Sequence, residues 1–213
     1  MSIDRPTDFG ATSPEGFIEL QSHAGRGACG ATDMQPVTPE DVVSFWQEAG
    51  KPMWFTKDAN FDRCFRERFL STHEAATRGQ LNDWAATPNG ALALLILLDQ
   101  FPRNAFRGTP RVYASDAQAY EIASRAVAAG FDQQVCRELR AFFYLPFCHS
   151  EDLADQERAV ALMRELGGEA AQAAERHRDI ISRFGRFPHR NPILGRAMTA
   201  EEQDYLDKGG FAG

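Results

Sequence analysis

Three short stretches of this chain concentrate polar and ionisable residues more than a helical scaffold requires. The first is Asp99-Gln100-Phe101-Pro102-Arg103-Asn104, with Arg107 just beyond. Guanidinium forks bind carboxylate or phosphate through paired hydrogen bonds, so Arg103 and Arg107, flanked by Gln100 and Asn104, read as an anion clamp. A purely structural reading stands beside it. Cations near a helix C-terminus meet orphan carbonyls favourably, Asp99 can pair with either arginine, and Asn104 tolerates a left-handed turn.

The second stretch is His149-Ser150-Glu151-Asp152, with Gln156 one turn past Asp152. Ser150 suits a helix N-cap, and Glu151 and Asp152 suit a first turn, where acids meet the positive end of the macrodipole. Capping leaves His149 unexplained. An imidazole beside two carboxylates is expected to favour its protonated form and to serve as a proton donor, oriented by Glu151 or Asp152. Adjacent residues on one turn rarely converge on a metal, and no H-E-x-x-H pattern is present, so no metal site is expected.

The third stretch is Phe184-Gly185-Arg186-Phe187-Pro188-His189-Arg190-Asn191. From Arg176 to Arg196 there are six arginines and two histidines against a single acid, Asp179. Donors on a loop stiffened by Pro188 suit binding. Arginine struts reaching to Asp99, Glu151 and Asp152, locking helices together, account for the same residues without a ligand.

The elements that must position these residues are helices. Thr38-Pro39-Glu40-Asp41 is a helix start, Asp58 a second cap, and Phe61, Phe65 and Phe69 recur every four residues on one face. Thr87-Pro88 opens a segment whose Ala91–Leu98 run is apolar on every side, hence central, and Phe101 before Pro102 is expected to end it. Ser115 with Gln118 resembles a capping box. Asp132 is expected to cap a helix carrying Val135, Leu139, Phe142 and Phe143 that breaks at Pro146. Ser150 opens the next, Gly167-Gly168 divides it from another that closes at Gly185, and Thr199 to Glu202 forms a full capping box. No alternating strand is found. The expected fold is all-α: antiparallel helix pairs over residues 37–213, stacked as a bundle or right-handed superhelix, after a poorly ordered tail over residues 1–36 rich in Gly, Ser, Thr and Pro.

Hydrophobic residues form 43% of the 213-residue chain, enough for a sizeable core. Thirty acids against 23 bases give a net charge of -7, which makes nucleic acid an unfavourable partner. The apolar run Ala91–Leu98 is far shorter than the ~20 residues of a membrane span, and the N-terminus lacks a signal-peptide pattern, so no membrane partner and a cytoplasmic address are expected. Cys29, Cys64, Cys136 and Cys148 have no C-x-x-C spacing and read as free, mostly buried thiols. No P-loop, dinucleotide fingerprint or nucleophile elbow appears, so no cofactor is expected. No pattern speaks to oligomeric state.

The chain resembles the bacterial domain of unknown function family 924. The resemblance rests on F-W at Phe45-Trp46, W-F at Trp54-Phe55, L-D-Q-F-P-R-N from Leu98 to Asn104, Pro146, H-S-E-D from His149, and F-G-R-F-P-H-R-N from Phe184 followed by Leu194-Gly195-Arg196. It spans about Val37 to Leu206 and implies stacked antiparallel helix pairs of the tetratricopeptide-like kind. It implies no activity. The residues themselves favour a polar cleft holding an anionic small molecule or a peptide carboxylate, formed by Asp99, Gln100, Arg103, Asn104, Arg107, Gln156, Arg186, His189, Arg190 and Asn191, with His149, Glu151 and Asp152 placed for catalysis. The competing expectation is a protein-binding helical scaffold with no tuned titratable group.

Overall fold

The helices that start after Thr38, Asp58, Thr87, Asp152 and Thr199 form where a side-chain cap and an apolar face coincide. The structure, a computed structural model, describes residues 36–213; the expected tail over residues 1–36, apart from Pro36, and Cys29 lie outside the described residues. Thr38 and Asp41 form a reciprocal capping box at the start of α1 (Pro39–Ala49), which Gly50 ends at φ 68°. A short α2 (Lys51–Trp54) follows, and Asp58 caps α3 (Ala59–Thr77) by accepting from the Asn60 and Phe61 amides. Thr87 caps α4 (Pro88–Leu95), and Gly90 in its first turn lies so close to the Trp84 carbonyl that no side chain fits there. α4 is the centre of the molecule: every residue from Gly90 to Pro102 is buried.

The chain does not break at Phe101-Pro102 as the sequence suggests. One wider π turn, Ile96–Gln100, absorbs the proline, and the helix continues as α5 (Phe101–Ala105). In a regular helix the Pro102 ring would press on the Leu98 carbonyl and offer it no N–H. The π turn instead bonds the Phe101 amide to the Ile96 carbonyl and turns the displaced carbonyls toward side chains. His73 Nδ1 donates to Leu97 O at 2.9 Å, Ser115 Oγ to Leu98 O at 2.6 Å, and Arg103 to Asp99 O at 2.7 Å.

Three further expectations are corrected. Ser115 does not cap α6 (Asp116–Ala128) with its side chain, which is committed to Leu98, and Gln118 bonds the Ala76 and Thr77 carbonyls. Asp132 opens only a 3-10 turn and accepts from the Tyr144 hydroxyl at 2.6 Å; α7 (Ala141–Cys148) starts later and keeps Pro146 inside it. α8 (Leu153–Leu166) is capped by Asp152, not Ser150, whose hydroxyl donates to Asp155. A left-handed Gly167 (φ 73°) then folds α9 (Gly168–Phe184) back onto α8. α10 (Ala200–Asp207) begins at the expected Thr199–Glu202 box.

The fold is all-α, and the described residues contain no strand. The main core is built on packed rings, some stacked and some edge-on: Phe45, Trp46, Trp54, Phe65 and Phe142 lie within 5.0–6.3 Å of one another in successive pairs. Ile180, Ile181 and Phe187 form a separate small cluster with Phe184 and Tyr205. Among the described residues no helix is long and apolar enough to cross a membrane.

Candidate functional site

The C-terminal end of α7 places His149. Its amide bonds the Leu145 carbonyl, and Gln156, fully buried, donates to the carbonyls of Cys148 and Ser150 on either side at 2.7 Å each. The π turn places Asp99 opposite, and its Oδ1 lies 2.7 Å from His149 Nδ1. Gln100 donates to the other oxygen at 2.6 Å, and Arg103 stands 3.2 Å from Oδ1. Burial by itself would raise the Asp99 carboxyl, but Arg103, His149 and the Gln100 amide together hold it down at about 2. Asp99 is therefore a carboxylate, and its imidazole neighbour is the donor.

His149 is displaced the other way from the sequence expectation. Burial and the Arg103 guanidinium outweigh Asp99 and hold its pKa below the ordinary histidine value, so the neutral ring prevails at neutral pH. With the proton of that ring on Nδ1, facing Asp99, Nε2 is a lone-pair acceptor with no protein partner among the described residues. The arrangement suits a proton acceptor, not the proton donor expected from sequence. Glu151 and Asp152 do not orient it either. Glu151 takes a two-pronged pair from Arg196 (2.6 and 3.0 Å) and the Phe187 amide, and Asp152 is spent on its cap.

The residue that completes the group is Arg190. Its side chain is only 9% exposed, sandwiched between the rings of Tyr113 (4.6 Å) and Phe187 (4.5 Å). One nitrogen donates to the His149 carbonyl at 3.0 Å, and Nε is buried without a partner. The nearest carboxylate, Asp116, is 3.8 Å away and already held on two prongs by Arg103 at 2.9 and 3.1 Å. Guanidinium does not give up its proton in proteins, so Arg190 is a buried cation short of counter-charge. His189 beside it also has a buried Nδ1 with no partner; burial, reinforced by Arg190 and His177, pushes it down to about 3.

These groups line one cleft of about 1220 Å³. Gln100, Arg103, Asn104, Arg107, His149, His189 and Arg190 from the expected set face it. Asp99 stands behind His149, and Gln156 beneath it. Arg186 is turned away, paired with Glu202 at 2.6 Å, and Asn191 is buried against Arg196 and Met198. Arg107 and Asn104 share Asp62 on α3 as struts, at 2.7 Å each. Lys51, Lys57, Arg137 and Arg176 add further positive charge to the lining against Glu138 and Glu169, a local excess in an acidic chain.

Sequence reasoning missed Tyr113 and Asp116, which it passed over as the run-up to a helix. The only signal was position: a Tyr and an Asp in the short connection that follows Arg103 and Arg107. Phe55, in the W-F motif, is 68% exposed on the cleft lining. The thiols are not uniformly buried. Cys136 is exposed, Cys64 half-buried and Cys148 buried, all three free, and burial pushes Cys148 up to about 12, which removes it as a nucleophile. No group of three or more metal-ligating side chains occurs among the described residues.

Residues 42–210 match the family described as "Bacterial protein of unknown function (DUF924)". The chain belongs to the DUF924 family. A solved structure, that of a protein of unknown function, ATU0120, from Agrobacterium tumefaciens, is 53% identical to this DUF924 protein with a TM-score of 0.79; the match covers 80% of this chain and 97% of the other. No curated protein matches the DUF924 chain.

Proposed function

We propose that this DUF924 protein binds an anionic small molecule or peptide carboxylate in the cleft between α7, α9 and the 187–190 turn, and that His149 takes a proton from the bound molecule or from a water beside it. The observation that carries this reading is Arg190: a cation nine-tenths buried, with a partnerless Nε and a carboxylate neighbour already engaged by another arginine. An anion on the cleft side of Arg190 supplies the missing counter-charge and accepts two hydrogen bonds in the plane of the guanidinium. Arg103 then acts through Asp99 and Asp116, fixing the imidazole and the carboxylate beside Arg190 without spending its own charge on the ligand.

The scaffold reading loses ground on one point. It calls for no tuned titratable group, and the His149–Asp99 pair at the cleft is one. Calorimetric titration with carboxylated and phosphorylated metabolites tests the binding reading. Saturable heat is expected with the native chain, and at least a tenfold loss with Arg190→Lys, which keeps the charge but lacks the planar fork. His189→Gln, which leaves Arg190 in place, is expected to lose affinity more mildly. Absence of binding across both classes of anion would leave the cluster as an internal brace.

A further inference from the structure

The buried cation and the histidines gather at one end of the cleft, and the other end carries an apolar strip rimmed by Lys51, Lys57, Arg137, Glu138 and Glu169; the helix directions set this polarity. Gly167 folds α9 back along α8, the segment before α7 is bonded to the end of α8, and the end of α7 is bonded to the turn after α9, so α7 and α9 run the same way. Each brings a row of small or apolar residues to the cleft ahead of a histidine, with Glu169 and Gln172 beside the row on α9. On α7 these are Ala141, Leu145 and then His149; on α9 they are Ala170, Ala173, Ala174 and then His177. The start of α7 is fixed beside the end of α8 by Arg137, which donates to the Glu165 and Leu166 carbonyls at 3.1 and 3.0 Å. Its end is fixed beside the 187–190 turn by the Arg190 bond to the His149 carbonyl. Eight residues of rise separate Ala141 from His149, roughly 12 Å.

We infer that the natural ligand is an amphipathic anion: a carboxylate head held by Arg190 at the His149 and His189 end, and an apolar chain or ring laid along α7 and α9 toward Leu166 and Phe55. This rests on the anion-binding reading and adds the chemistry of the rest of the molecule. Phe55 and Phe142, stacked at 6.3 Å, and Leu145, Met163, Leu166 and Ala170 form the apolar half. A wholly polar metabolite would leave that surface wet. An apolar ligand with no charge would leave Arg190 uncompensated. The exposed Phe55 ring has a use in this arrangement, as a flap of apolar surface over the tail.

The test is calorimetry on the native chain with straight-chain acids: acetate, butyrate, hexanoate and octanoate. Affinity is expected to rise about fourfold for each methylene until the apolar half is filled. Phe55→Ser, a change at an exposed ring, is expected to weaken octanoate severalfold and leave acetate unchanged. Ala170→Phe, which fills the far end, is expected to cut the series short at a lower chain length. Acetate binding that depends on Arg190, with no gain along the series, overturns this inference and leaves the anion site standing. No binding by any of the four acids, together with a blank metabolite screen, overturns both. A chain-length gain that survives both Phe55→Ser and Ala170→Phe places the tail elsewhere and also overturns the inference.

Discussion

Four histidines of this chain are held neutral by their surroundings. Burial lowers His73, His149, His177 and His189, to about 4 for His177 and about 3 for His189. Below about pH 6.5 the unfolded chain takes up protons at these rings before the folded chain does, so folding stability falls as the solution is acidified toward pH 4. Asp99 and Glu202, both held at about 2, extend the loss below pH 4, because the unfolded carboxylates protonate first. Urea denaturation at pH 7.5 and at pH 5 is expected to show a lower midpoint in acid, and His177→Gln to flatten the difference. A midpoint that rises on acidification would contradict the assignment of neutral rings. Asp99→Asn leaves Arg103 partly uncompensated and leaves one amide oxygen where His149 and Gln100 each had their own; an expected loss of about 3–5 kcal/mol is readable in the same denaturation. The roles of Arg103 and His149 were open to a reader of sequence as residue types. Their partners were not: 50 positions separate His149 from Asp99, and the nearer Glu151 and Asp152 are the natural guess.

At the scale of elements, caps and apolar periodicity are local and were legible. Thr38, Asp58, Thr87 and Thr199 cap as their types dictate. The elements that resisted are those in which a distant group satisfies the backbone. Phe101-Pro102 reads as a helix end because nothing local can receive the displaced carbonyls; His73 on α3 and Ser115 before α6 do so from 24 and 17 positions away. Ser115, read as a cap, was taken from that role by the same carbonyl. Ser115→Ala is expected to cost about 1–3 kcal/mol by leaving the buried Leu98 carbonyl unpaired, measured as a shift in urea midpoint at unchanged slope. Ser115→Thr, which keeps the hydroxyl, is expected to recover part of it. A Ser115→Ala midpoint equal to native would show that Leu98 finds another donor.

Across the whole molecule, charge and packing are unevenly spread. A chain of net charge -7 concentrates cations on the cleft, so binding of a small anion is expected to weaken between 50 mM and 500 mM salt, where surface attraction is screened. Affinity indifferent to salt would place the anion outside that field. The wall that carries His189 and Arg190 rests on the small cluster of Ile180, Ile181 and Phe187, apart from the large aromatic core. Local opening of such a corner costs less than global unfolding, so amides of residues 187–206 are expected to exchange faster than those of α4, and a bound ligand to slow them. That division also orders events during synthesis on the ribosome. The stretch through α7 carries its packed rings before Arg190 has been polymerised, so on the proposed reading the anion site is completed only in a protein translated through its 190th codon.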